Sequence, residues 1–128
     1  MSASLLLDSD ILIDHLRKEQ KALDYLQQEI DAGSLLFISV ISRTEIFSGA
    51  RKGEEETIQG LFDLLTPVDV DVAIADRAGE YLKKYSKSHS VTIGDAIIAA
   101  TAREMGGALV TRNLKHYPMK DLKIIKPY

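Results

Sequence analysis

The sequence predicts an α/β sandwich built on a mainly parallel sheet of four or five strands. Short apolar runs supply the strands: "SLLLD" at 4–8, "SLLFIS" at 34–39, "PVDV" at 67–70, "ALVT" at 108–111 and "LKII" at 122–125. Longer segments of helical period lie between them, and such alternation is the pattern of parallel strands covered by helices. The length of 128 residues suits one hydrophobic core better than two, so residues 1–128 are expected to form a single domain.

Each helix has its own signal. "ILIDHL" follows the first strand, and Asp8, Ser9 or Asp10 can cap it. In "EQKALDYLQQEIDAG" the residues Ala22, Leu23, Leu26 and Ile30 fall on one helical face, which Gly33 closes. Past the second strand, Ile41 and Glu45 of "SVISRTEIFSGA" share a helix face at a spacing of four. Residues 54–65, 72–87 and 94–106 repeat the helical pattern. The last of these, "DAIIAATAREM" from Asp95, has almost no polar face and should be largely buried. "GG" at 106–107 stops it ahead of the fourth strand. No repeat, low-complexity tract or linker divides the chain.

Composition removes several classes of function. With 45% hydrophobic and 27% charged residues the chain is neither disordered nor fibrous. The lack of cysteine rules out disulfides and thiolate zinc sites. No apolar run approaches the roughly 18 residues of a membrane span. The N-terminus has no export pattern, so no membrane association and a cytoplasmic location are expected. A net charge of −3 gives no global basic field, so a polyanionic substrate would need local cations.

Ligands of parallel sheets gather beyond the carboxyl ends of the strands. Asp8 ends the first strand, Glu45 follows the second, and Asp95 opens the buried helix. Each has an ordinary alternative. Asp8 can be a helix cap; Glu45 can be an exposed residue or a partner of Arg43 or Arg51; Asp95 completes a capping box with Thr92. Together they converge on one rim, where carboxylates repel one another unless a cation joins them. Oxygen ligands without cysteine or clustered histidine favour Mg²⁺ or Mn²⁺ over zinc.

These stretches resemble the PIN-domain nucleases, in particular the small VapC-like toxins of bacterial and archaeal toxin–antitoxin pairs. "LLLDSDILIDHL" is similar to the opening motif of that family, "ISVISRTEIFSGARKG" to its second, and "TIGDAIIAATAREMGGALVTRN" to its third and fourth. The resemblance covers nearly the whole chain. It implies a three-layer PIN-like sandwich and a Mg²⁺- or Mn²⁺-dependent endoribonuclease. The same resemblance makes Asp8, Glu45 and Asp95 the acidic metal site. Asn113 stands where a fourth acid is common, a neutral departure that would hold a second ion less firmly. Implied partners are an RNA substrate, a cognate antitoxin and a second copy of the chain. The apolar residues of "TIQGLFDLL" are candidates for the dimer or antitoxin surface.

Beside these acids, Ser9 and Thr111 are placed to orient the ligands. Arg43, Arg51, Lys52, Arg112, Lys115 and His116 flank the motifs; of these, Arg43, Arg51, Arg112 and Lys115 are the candidate phosphate contacts. "LLLDSD" also fits an aspartyl-phosphate phosphatase, with Asp8 as nucleophile and Asp10 as acid, but no late acidic pair follows a strand. A PIN-like interaction module of weak activity is the non-enzymatic alternative.

Overall fold

The protein is described here by a computed structural model covering residues 3–128. Five strands, β1 (Ser4–Leu7), β2 (Leu35–Ser39), β3 (Thr66–Val68), β4 (Ala108–Val110) and β5 (Ile124–Ile125), form one sheet in the order β3-β2-β1-β4-β5. Every pairing is parallel, so the sheet is wholly rather than mainly so. The helices are α1 (Ser9–Leu16), α2 (Gln20–Asp31), α3 (Val40–Ser48), α4 (Glu55–Asp63), α5 (Val72–His89) and α6 (Ile93–Met105). A single 3-10 turn at Leu114–His116 follows β4.

The alternation within β1 divides the core. Leu5 and Leu7 pack on one face with Ile11 and Leu12 of α1, Leu26 of α2, Ile46 of α3 and Ile58, Leu61 and Phe62 of α4. Leu6 packs on the other with Ile74, Ala78 and Tyr81 of α5 and Ile98, Ala99 and Ala102 of α6. This is the two-residue period of a strand covered on both sides, and it produces three layers. α4 therefore spends most of "TIQGLFDLL" on the core: Ile58, Leu61, Phe62 and Leu65 are buried, and Leu64 alone of its large apolar residues is exposed. The expectation that this stretch forms a partner surface is corrected accordingly.

Strand ends shift modestly from the sequence reading. β3 begins at Thr66 and stops at Val68 because Asp71 is taken by the N-cap of α5, where its carboxylate accepts from the Ile74 N–H at 2.9 Å. β5 keeps only two residues of the expected four, since Leu122 is buried in the core under α5 and α6 and precedes the ladder. α1 and α6 begin at residues 9 and 93, capped by Asp8 and by the Thr92–Asp95 capping box.

The "GG" pair divides two tasks. Gly106 ends α6 with a φ of 70°, a left-handed conformation that glycine adopts without strain. Gly107 lies against β1, where an added Cβ would stand 2.8 Å from the carbonyl oxygen of Ser4. Since that obstacle is backbone, Gly107→Ala is expected to destabilise the fold by about 1–3 kcal/mol, the cost of overpacking. A urea midpoint unchanged from wild type would show that β1 and β4 can separate without cost.

Candidate active site

The strand order reverses at β1, which pairs with β2 on one side and β4 on the other. Such a reversal opens a crevice beyond the carboxyl ends of the two central strands. The β1–β4 register pairs Leu7 with Val110, so the next residues along, Asp8 and Thr111, are neighbours past the ladder. A bond from the Asp8 N–H to the Val110 carbonyl at 2.9 Å extends the pairing by one step.

Asp8 is 5% exposed. Its Oδ1 accepts from the Ser9 N–H at 2.8 Å; its Oδ2 accepts from the Thr111 hydroxyl at 2.8 Å and from the Tyr117 hydroxyl at 2.9 Å. All three donors are neutral, and no ion pair reaches Asp8 among the described residues. Burial, reinforced by the nearby Asp10 carboxylate, pushes the Asp8 carboxyl up to about 6, against the opposing pull of those hydrogen bonds. Asp10 is raised as well, chiefly by burial, although the Arg112 N–H donates to its Oδ2 at 2.9 Å and the Ile11 N–H to its Oδ1 at 2.8 Å. Asp10 is thus tied to the backbone of α1 and of the loop after β4.

Glu45 enters from α3, where its carboxylate accepts from the Ser9 hydroxyl at 3.0 Å. Asp95 enters from α6 as the third residue of the capping box, accepting from the Thr92 N–H at 3.2 Å. His116 Nδ1 lies 3.9 Å from its other oxygen. Tyr117 links the two sides of the rim: besides touching Asp8, its hydroxyl feels the charges of Asp95 and Asp10. Asn113 is exposed on the β4 loop, with its backbone N–H given to Thr111 Oγ1 at 3.0 Å.

Among the described residues, no group of three or more His, Cys, Asp or Glu side chains closes into a metal-holding cluster. Glu45 is held by Ser9 and Asp95 by its own helix N-terminus, so the acids line one rim from separate anchors. The donor set nevertheless suits a hard cation: carboxylate oxygens, one of them deeply buried without a countercharge. Mg²⁺ in particular keeps several waters and needs few protein ligands, so an open rim is compatible with it.

The flanking cations differ in their engagement. Arg112 forms an ion pair with Asp14 at 2.7 Å, which also accepts from the Tyr128 hydroxyl at 2.7 Å. Arg17, three residues on from Asp14 along the chain, pairs with Glu54 instead. The Arg43 guanidinium lies 4.3 Å from the Phe62 ring centroid, and Arg51 is anchored through its backbone N–H, which donates to the Glu54 carboxylate at 2.6 Å. Lys115 is exposed in the 3-10 turn. Tyr117 and the Arg112–Asp14 pair were missed by sequence reasoning. A tyrosine immediately after a histidine-containing turn carries no motif, although its place after the fourth strand put it near the rim.

These features define a class of small α/β protein with an acidic crevice at the switch point of a parallel sheet. Residues 5–121 match the PIN domain family. The chain is 38% identical over 116 residues to Ribonuclease VapC10 of Mycobacterium tuberculosis, covering 90% of this chain and 86% of that one. It is 33% identical over 115 residues to Ribonuclease VapC19 of the same organism, covering 89% and 92%. Among solved structures it is similar to a toxin–antitoxin complex from Klebsiella pneumoniae, with a TM-score of 0.77, 25% identity and coverage of 97% and 98%. The chain belongs to the PIN-domain family, in its VapC-like branch.

Asp8 makes stability depend on pH. Between pH 4 and 6 the folded protein retains a proton on Asp8 that the unfolded chain, with an ordinary value of 3.8, has already released. Stability therefore falls as pH rises through that window, by about 3 kcal/mol from this group, and levels off above it. In EDTA, urea unfolding of wild type against Asp8→Asn should show the difference between them growing over this range. Parallel curves from pH 4 to 7 would contradict the assignment.

Proposed function

We propose that this protein is a Mg²⁺- or Mn²⁺-dependent endoribonuclease acting as the toxin of a toxin–antitoxin pair. The observation that carries the reading is Asp8: a buried carboxylate at the switch point, raised toward neutrality and held by neutral donors alone. A divalent cation at the rim would supply the missing countercharge. The relatives named as ribonucleases supply the substrate class. Residues 1–128 are read as one nuclease domain, supported by the single sheet and by a family match spanning most of the chain.

Asp8, Glu45 and Asp95 would hold the ion, directly or through water. When bound, a divalent ion supplies activation of water and stabilisation of charge on the phosphoryl oxygens and leaving group. Ser9 orients Glu45, Thr92 orients Asp95, and the Thr111 and Tyr117 hydroxyls fix Asp8. Asn113 offers a neutral carbonyl at the rim and adds no charge. Arg112 and Lys115 stand on the loop after β4, and Arg43 and Arg51 follow β2; these four are the candidate phosphate contacts. A phosphate arriving at Arg112 would compete with Asp14.

The likeness to a toxin–antitoxin complex supports a cognate antitoxin as partner, and the family reading adds a homodimer in the cytoplasm. No helix among the described residues is long and apolar enough to cross a membrane.

Purified protein incubated with labelled total RNA and Mg²⁺ or Mn²⁺ should release discrete fragments. EDTA should abolish them, and Asp95→Asn or Asp8→Ala should reduce cleavage beyond the roughly 10–100-fold lost with an outer partner of a metal ligand. Expression without antitoxin should arrest growth, with relief by Asp8→Ala. Cleavage that survives EDTA, or equal toxicity of the Asp8 variant, would sink this function.

A further inference from the structure

A carboxylate has four in-plane acceptor positions, two on each oxygen. On Asp8 the Thr111 and Tyr117 hydroxyls occupy both positions of Oδ2, and the Ser9 N–H occupies one of Oδ1. One position remains, on Oδ1. None of the three donors is mobile: Ser9 contributes backbone, Thr111 is fully buried, and Tyr117 is 4% exposed with its ring in the core under α5 and α6. The Tyr117 hydroxyl donates to Asp8 Oδ2 at 2.9 Å and the Thr111 hydroxyl to the same oxygen at 2.8 Å.

The count of free positions bears on which cation can bind. Ca²⁺ takes six to eight oxygens in flexible geometry and often grips a carboxylate through both of its oxygens; Mg²⁺ demands an octahedron and keeps much of its water. We propose that Tyr117, together with Thr111, is a specificity-determining positioning residue that confines Asp8 to coordination through one oxygen and so disfavours Ca²⁺ relative to Mg²⁺. The inference rests on the reading of Asp8 as a metal ligand. The hydroxyl acts through Asp8 and touches no substrate.

Tyr117→Phe removes the hydroxyl and leaves the ring in the core. Calorimetric titration of the full chain with MgCl₂ and with CaCl₂ should show wild type binding Mg²⁺ the more tightly. In Tyr117→Phe the ratio of Ca²⁺ to Mg²⁺ affinity should rise by roughly tenfold, the scale of one hydrogen bond to a charged group. Thr111→Val frees the same oxygen from its other donor and should shift the ratio in the same direction, which keeps the test open if either variant fails to fold. Urea unfolding in EDTA checks folding. Folded variants whose affinities for both ions fall together, with the ratio unchanged, would show Tyr117 to be structural only and overturn the inference. Wild type that binds neither Mg²⁺ nor Mn²⁺ would instead overturn the metal reading of Asp8, and this inference with it.

Discussion

The parallel register between β1 and β4 is the constraint from which the rim follows. It pairs Leu7 with Val110 and so leaves Asp8 and Thr111 side by side where the ladder ends. A shift of one residue would reverse every side chain of β1 between the two faces, exposing one core to the residues of the other. The three leucines of β1 are at most 1% exposed, so the register is held from both sides at once. The close approach of Gly107 to Ser4 adds a steric limit at the opposite end of the same pair. Placement of a carboxylate at the crevice is therefore a by-product of core packing, and the chemistry of the rim inherits the rigidity of the core.

That placement is costly. A carboxylate as buried as Asp8 loses most of its hydration, and three neutral hydrogen bonds only partly replace it, which is why its protonation is displaced upward. A core selected for stability alone would be better served by an amide or an apolar residue at this position. Polar groups kept against such a cost are found where function needs them. The same reasoning does not extend to every acid nearby. Asp14 sits in an ion pair with Arg112, and Glu54 pairs with Arg17; both are accounted for as structure.

Local pattern made most of the fold legible. Leucine-rich strands and amphipathic helices are short-range features, so their order and the parallel sheet could be read from spacing, and "GG" marked the end of α6. The misjudged parts depend on contacts distant in sequence. Whether "TIQGLFDLL" faced a core or a partner turned on which side of the sheet α4 would cover. The partner of Asp14 lies 98 residues away, and no helical spacing rule reaches it. Tyr117 lies 109 residues from Asp8 and is recruited only because the segment after β4 folds back over the second core face. The acids themselves could be nominated from motif order, whereas the hydroxyls that hold them needed the register.

Helix capping is no rival to the metal-ligand reading of Asp8 and Asp95, because a capping carboxylate keeps free lone pairs. Asp8 does cap α1, through Oδ1, and Asp95 does complete the capping box of α6. A helix N-terminus favours negative charge and fixes the side chain that supplies it. Two carboxylates tied in this way to different helices are brought to one rim without having to pair with each other, and each is oriented before any ligand arrives. Glu45, lying mid-helix in α3, has no such terminus and relies on the Ser9 hydroxyl, itself in the first turn of α1. The N-terminus of α1 thus anchors two of the three acids. A capping residue at a strand end is a poor argument against function when the strand opens onto a switch point, because the interaction that satisfies the helix also aims the acid.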